Sequence, residues 1–338
     1  HTGFWVKVAK KHLPRALEFL NQTMFHSLLP AAELEKERGV ILEEIKHHED
    51  NPMRFVYDQF VSQVYSNTAL GRPIIGTPEN IKAVKQADFV SHLQSWYRPQ
   101  NMVLAVAGGL AKDAGEQIKA VFGGIKGGRF QKKHKKANPP SLRPRRGKTR
   151  VIKKDIQQLH FCLGLTTFER ANQDRYALTL LNLILGGNTS SHLWEEIREK
   201  RGLVYYVGSS TDSFFDTGYL VVRAGCDVNR AEEALKVTFD ELDKMPHKVS
   251  RRELGNAKEY AKGHLALGLE DSQDVADRFG EDALIEGKVR PVESIIKGID
   301  QVTVGEVTAL AKKLLVKDKL NLTIISPLVD KQKFAKLL

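Results

Sequence analysis

The chain has 338 residues, 41% hydrophobic and 28% charged, and Lys plus Arg exceed Asp plus Glu by a formal +11. That is room for two ordinary domains with a buried core, and no apolar run reaches the roughly 20 residues of a membrane-spanning helix. Two cysteines, Cys162 and Cys226, are too few for a disulfide scaffold or a zinc ribbon and read as buried reduced thiols.

Residues His1 to Val8 alternate as a strand, and with no initiator Met the chain reads as a fragment or a processed form. Helical spacing covers 11–28 through Leu13, Leu17, Leu20 and Leu28. A charged helix follows over 31–49, stopped by Asn51-Pro52, and an amphipathic helix resumes over 53–66 through Phe55, Val56, Phe60 and Val64. A loop from Leu70 to Gly76, a helix near 87–97 and a buried strand from Met102 to Ala107, closed by Gly108-Gly109, complete the first half.

Residues 126–150 hold eleven Lys and Arg and no acid, which equals the whole formal excess of +11. With Gly127, Gly128, Pro139, Pro140 and Pro144 this is a linker composition, stiffened by proline and extended by self-repulsion. Phe130 is the one aromatic among the charges, whereas single-strand binders stack bases on several, so no nucleic-acid partner is expected.

The second half has strand-like segments at 151–167, 203–213 and 218–225, with helices near 172–186, 190–200, 229–244, 249–267, 273–286 and 303–315. It closes on an apolar strand from Leu320 to Ile325, which would match Met102 to Ala107. The pattern predicts an α+β fold of two homologous domains, 1–125 and 151–338, joined by the linker. Each is expected to be a mainly antiparallel sheet with helices on one face, the first incomplete.

Two constellations carry chemistry. On the 31–49 helix Glu37 and Glu44 are seven residues apart, close to two turns, and share a face, while Glu43 points elsewhere and Val40 and Ile41 are expected to face inward. The pair suits a metal ligand and the carboxylate that supports it, although solvated surface carboxylates have the same spacing. His47, His48 and Glu49 follow, but a Glu44–His48 pair lacks a third ligand, and His26, His134, His160 and His247 stand alone. In the second half Gly186-Gly187 ends one helix, Asn188-Thr189-Ser190 offers a cap for the next, and Gly202 ends that one. Arg198 and Tyr205 could converge there as donors to a carbonyl or oxyanion.

In this order the segments resemble the pitrilysin and mitochondrial processing peptidase family, inverted zincins with an H-x-x-E-H motif. They are His1-Thr2 with its strand, Glu37 to Glu44, Leu70 to Gly76, Tyr97 to Leu104, and Gly186 to Tyr205. The resemblance implies zinc as cofactor, Glu44 as ligand, Glu37 supporting it, and Arg198 and Tyr205 steadying the substrate carbonyl. It also implies peptide substrates captured as an added strand, and pairing into homodimers or heterodimers. No H-x-x-E-H occurs in the 338 residues, and the resemblance places it before His1. The chain is therefore expected to be inactive alone, as part of a zinc endopeptidase or as a scaffold partner of one. The compartment is not fixed; a cytoplasm is favoured over an organelle matrix or periplasm.

Overall fold

The computed structural model describes residues 1–125, 148–328 and Phe334. Most of the expected linker, 126–147, lies outside the described residues. In chain order the helices of the first half are α1 (Leu13–Phe25), α2 (Ala31–Asp50), α3 (Pro52–Val64), α4 (Pro78–Ala83), α5 (Gln86–Trp96) and α6 (Ala114–Phe122). The second half carries β1 (Thr149–Lys153), β2 (Leu159–Thr167), α7 (Arg175–Leu185), β3 (Val204–Ser213), β4 (Gly218–Cys226), α8 (Ala231–Lys248), α9 (Arg251–Gly268), α10 (Ser272–Glu286), α11 (Val292–Gln301), α12 (Val304–Leu314) and β5 (Asn321–Ser326).

These elements form two compact units that interleave along the chain. One comprises His1–Leu42, the described residues from Pro78 to 125, and Gly263–Val292; the other comprises Glu43–Thr77, the described residues up to Lys262, and the chain from Glu293 onward.

The second unit contains a five-stranded sheet of order β1-β5-β2-β4-β3. Only β1 and β5 run parallel; every other pairing is antiparallel, so the α+β reading stands. Side chains alternate between the faces of a strand. One face presents Phe161, Leu163 and Leu165 of β2 with Leu220, Val222 and Ala224 of β4, all buried beneath the layer in which α7, α8 and α12 pack on one another. The other face presents Cys162, Tyr219, Val221 and Ile325, and is covered by α3 from the first half of the chain.

The local sequence accounts for α3. The Asn51 side chain accepts from the Arg54 N–H at 3.2 Å and Pro52 occupies the first turn, where its missing N–H costs nothing. Val56 and Phe60, one turn apart, then point at the sheet and are wholly buried. Gly164 makes this approach possible, since a Cβ there would lie 2.7 Å from the Phe60 ring and 2.3 Å from the Leu220 carbonyl. Tyr65, at the end of α3, donates to the Gly218 carbonyl at 2.7 Å.

In the first unit α1 and α6 meet through Phe25 and Phe122, edge to face at 6.5 Å, and Asn21 donates to the Val121 carbonyl at 3.1 Å. The Arg38 guanidinium ties α2 to the carbonyls of Ile81 and Val84. Helix α10, capped by Asp271, approaches the 102–107 stretch closely: a Cβ on Gly280 would lie 3.1 Å from that of Ala105.

Three expectations need correction. Residues 1–8 and 102–107 form no ladder among the described residues, so neither is a strand, and Trp5, Val8, Val103 and Leu104 stand exposed. An apolar alternation specifies a strand only where a neighbour completes its hydrogen bonds. Val40 points outward, about half exposed; the less exposed stripe of α2 runs instead through Leu34, Arg38 and Ile41, half-buried, to Ile45, buried. The segment 151–167 is two strands, β1 parallel to β5 and β2 antiparallel to it, so the chain must reverse between them.

Candidate functional site

Helix α7 ends at Gly186, whose carbonyl accepts from the Ser209 N–H of β3 at 2.8 Å. No side chain fits there: a Cβ would lie 2.7 Å from the Ser209 nitrogen and 2.8 Å from Leu193 Cδ1. The Asn188 side chain then accepts from Ser190 N–H at 2.8 Å, turning the chain into the next helical segment.

That segment, Trp194–Glu199, is a π-helix: the Lys200 N–H reaches the Glu195 carbonyl, five residues back, at 2.9 Å. Single π turns are frequent at functional sites because the extra residue re-aims the side chains after it. The segment closes at Gly202, φ +54°, whose N–H bonds to the Arg198 carbonyl at 2.9 Å. Arg230 covers the end, donating to the carbonyls of Gly202 at 2.8 Å and Arg201 at 2.9 Å. Only glycine takes that left-handed turn without strain.

The first strand residues beyond it are irregular. Val204 pairs with Cys226 and Tyr206 with Gly225, so Tyr205 is an extra residue in β3, a bulge on an edge strand. Tyr205 is 56% exposed, while Tyr206 turns inward, its hydroxyl 3.0 Å from His160 Nδ1. His160 therefore has a partner that sequence spacing does not reveal, and burial lowers its proton affinity.

Of Arg198 and Tyr205, the Arg198 side chain reaches the backbone of Tyr205, not its phenol. The Arg198 guanidinium donates to the carbonyls of Val204, at 2.9 Å, and Tyr205. Its planar group lies 5.2 Å from the Trp194 ring centroid, and Trp194 Nε1 donates to Glu199 at 3.0 Å. A guanidinium has five N–H donors, so those not on these carbonyls stay available. Around it, Arg201 first and Lys200 second hold the Glu196 carboxyl down at about 2.

Glu37 and Glu44 both project from α2 as exposed residues, and among the described residues neither has a side-chain partner. Their neighbours are committed elsewhere: Arg38 pairs with Glu35 at 2.9 Å, Lys46 with Glu43 at 2.7 Å, and His48 with Asp58 at 3.1 Å. Among the described residues no three His, Cys, Asp or Glu side chains stand close enough to hold a metal ion. These residues do not fit a zinc site, because such a site needs three protein ligands around the ion.

A family model described as insulinase, peptidase family M16, matches residues 1–78, and one described as peptidase M16 inactive domain matches 83–260. The chain is 34% identical over 337 residues to an uncharacterized zinc protease of Streptomyces coelicolor, covering 98% of this chain and 73% of that one. It is 32% identical over 330 residues to the uncharacterized zinc protease YmxG of Bacillus subtilis, covering 97% and 78%. Among solved structures, a protease from Helicobacter pylori superposes with a TM-score of 0.86 at 23% identity, over 95% of this chain and 78% of the other. The peptidase M16 inactive domain from Pseudomonas fluorescens gives 0.78 at 21% identity, over 93% and 74%.

Proposed function

The chain belongs to the peptidase M16 family, and from that membership we propose that it is the peptide-binding part of a zinc endopeptidase subunit. Arg198 and Tyr205 are its donors to the substrate carbonyl. The observation that supports this is that Arg198 lies on a π turn and Tyr205 on a β-bulge, two irregularities of a kind that re-aims side chains and is frequent at functional sites. An oxyanion forming on that carbonyl would be held by a guanidinium and a phenol, which bond a negative oxygen more strongly than a neutral one.

Glu44 is proposed as a carboxylate ligand of a zinc ion, with Glu37 supporting it. The domains are read as 1–125 and 151–338, with 126–150 joining them, and the subunit as working paired with a like or unlike one. In a second reading the chain is a non-catalytic partner subunit; the inactive-domain description matched by 83–260 favours it.

The test is binding of a fluorescently labelled peptide by anisotropy. Charged hydrogen bonds contribute about 1.5–3 kcal/mol and neutral ones about 0.5–1.5 kcal/mol. Arg198→Ala should therefore weaken binding by roughly 10–150-fold and Tyr205→Phe by roughly 2–12-fold. Unchanged affinity in both variants sinks the assignment. Stoichiometric zinc on the 338-residue chain would show that it builds a metal site after all.

A further inference from the structure

Two residues before the segment that carries Arg198, His192 lies between carboxylates of two helices. Its Nδ1 is 3.3 Å from Glu241 Oε2 on α8, and its Nε2 is 2.6 Å from Glu253 Oε1 on α9. A neutral imidazole has one N–H and one lone pair, so it can donate to only one of them. Two ionised carboxylates facing both ring nitrogens require the imidazolium.

The arrangement is held on every side. Glu241 is only 2% exposed and also receives Lys244 Nζ at 2.5 Å. Glu253 accepts from the Ser250 N–H at 2.8 Å, which fixes it at the start of α9. The residues flanking His192, Ser191 and Leu193, are buried, which anchors the backbone that carries the ring.

We propose that His192, as the imidazolium, is a positioning residue: it fastens the entry of the Trp194–Glu199 segment to α8 and α9 and so sets where Arg198 and Tyr205 stand. This rests on the reading of those two residues as peptide donors.

The proposal makes that placement sensitive to pH. The ionisable group that acts on His192 from α8 is Glu241, which Lys244 also holds; Glu233 and Asp240 of that helix act on Arg201 and Lys244 instead. Glu253 faces it from α9, Glu196 lies on the segment itself, and Lys200 and Arg201 follow it. The bond to Glu241 raises the proton affinity of His192 most; burial opposes it, and Glu253 adds to the rise. Burial also pushes both carboxyls up, but the bonds outweigh it, from His192 and Lys244 for Glu241 and from Ser250 and His192 for Glu253. A histidine raised in the folded state contributes stability that is complete below its unfolded value, near 6.5, and lost as pH rises through the higher folded value.

The chain has three tryptophans, and Trp194 reports the segment once the exposed Trp5 and Trp96 are replaced by Phe. In that otherwise complete chain, Trp194 emission should follow a one-proton transition with its midpoint above about 6.5. His192→Gln should abolish the transition. His192→Arg should hold the low-pH signal throughout, since a guanidinium donates to both carboxylates without titrating. Peptide affinity in the same samples should fall several-fold across the same midpoint. A flat trace in the parent chain, or a transition that survives His192→Gln, overturns the proposal. If Trp194 titrates as stated but no sample binds peptide at any pH, the histidine bridge stands and the peptide-donor reading fails.

Discussion

Phe60→Ala should loosen the second unit more than any surface change on the same stretch of chain. Phe60 is wholly buried between Val56, Tyr65 and the sheet residues Cys162, Tyr219, Val221 and Ile325, and its ring meets that of Tyr219 edge to face at 6.1 Å. Truncating a buried Phe to Ala costs about 3–5 kcal/mol, because the walls relax only partly into the cavity. Domains of ordinary size are stable by about 5–15 kcal/mol, so a large fraction would be gone. With a urea dependence of about 2 kcal/mol per M, a loss of about 4 kcal/mol lowers the unfolding midpoint by about 2 M. The assay is urea denaturation followed by Trp194 emission, with Val40→Ala as control, since Val40 is 49% exposed and its loss should cost under about 0.5 kcal/mol. A Phe60→Ala midpoint within about 0.3 M of the parent chain would mean that α3 does not seal the sheet, and the packing argued from Gly164 and Phe60 would be wrong.

Gly202→Ala should cost about 1–2 kcal/mol, because a Cβ is strained at φ +54°, and should weaken peptide binding along with Arg198→Ala; Gly202→Asn should cost less, since Asn tolerates that conformation. A Gly202→Ala chain as stable as the parent would count against the turn. Cys162 and Cys226 are both buried, which pushes the Cys226 thiol up to about 12 and raises that of Cys162 too. Neither should react with a thiol reagent at about pH 8 until the chain is unfolded, because the thiolate is the reactive form. Rapid native labelling of either would contradict the core.

The helices α1, α2, α3, α5 and α7 were legible from apolar spacing and from their stops, and the Gly186-to-Gly202 stretch from its glycines. Local chemistry decides those features, so a local reading finds them. The short helices α4 and α6, and α11 just past Pro291, are not legible, since six to ten residues give a periodicity too few repeats to register. The π turn and the bulge were invisible because each is a one-residue excess over a regular pattern. The His192 bridge was missed for another reason. Its partners lie 49 and 61 residues away, and only the packing of α8 and α9 brings them to one ring. Likewise, nothing in 52–64 says which sheet its apolar face will cover.

That last point bears on how the molecule could be divided. The evident place to part the two halves is the basic stretch after Ile125, but a protein cut there would keep its sheet and lose α3. Cys162, Tyr219, Val221 and Ile325 would face water as one apolar strip on strands already paired, the kind of surface that draws molecules together into aggregates. The first half, for its part, would give up α10, which the first unit takes from the second half. Neither half of the gene is therefore a module that could be excised, swapped or inherited on its own. Each carries a helix that belongs to the other's fold, so the two halves survive only as a pair.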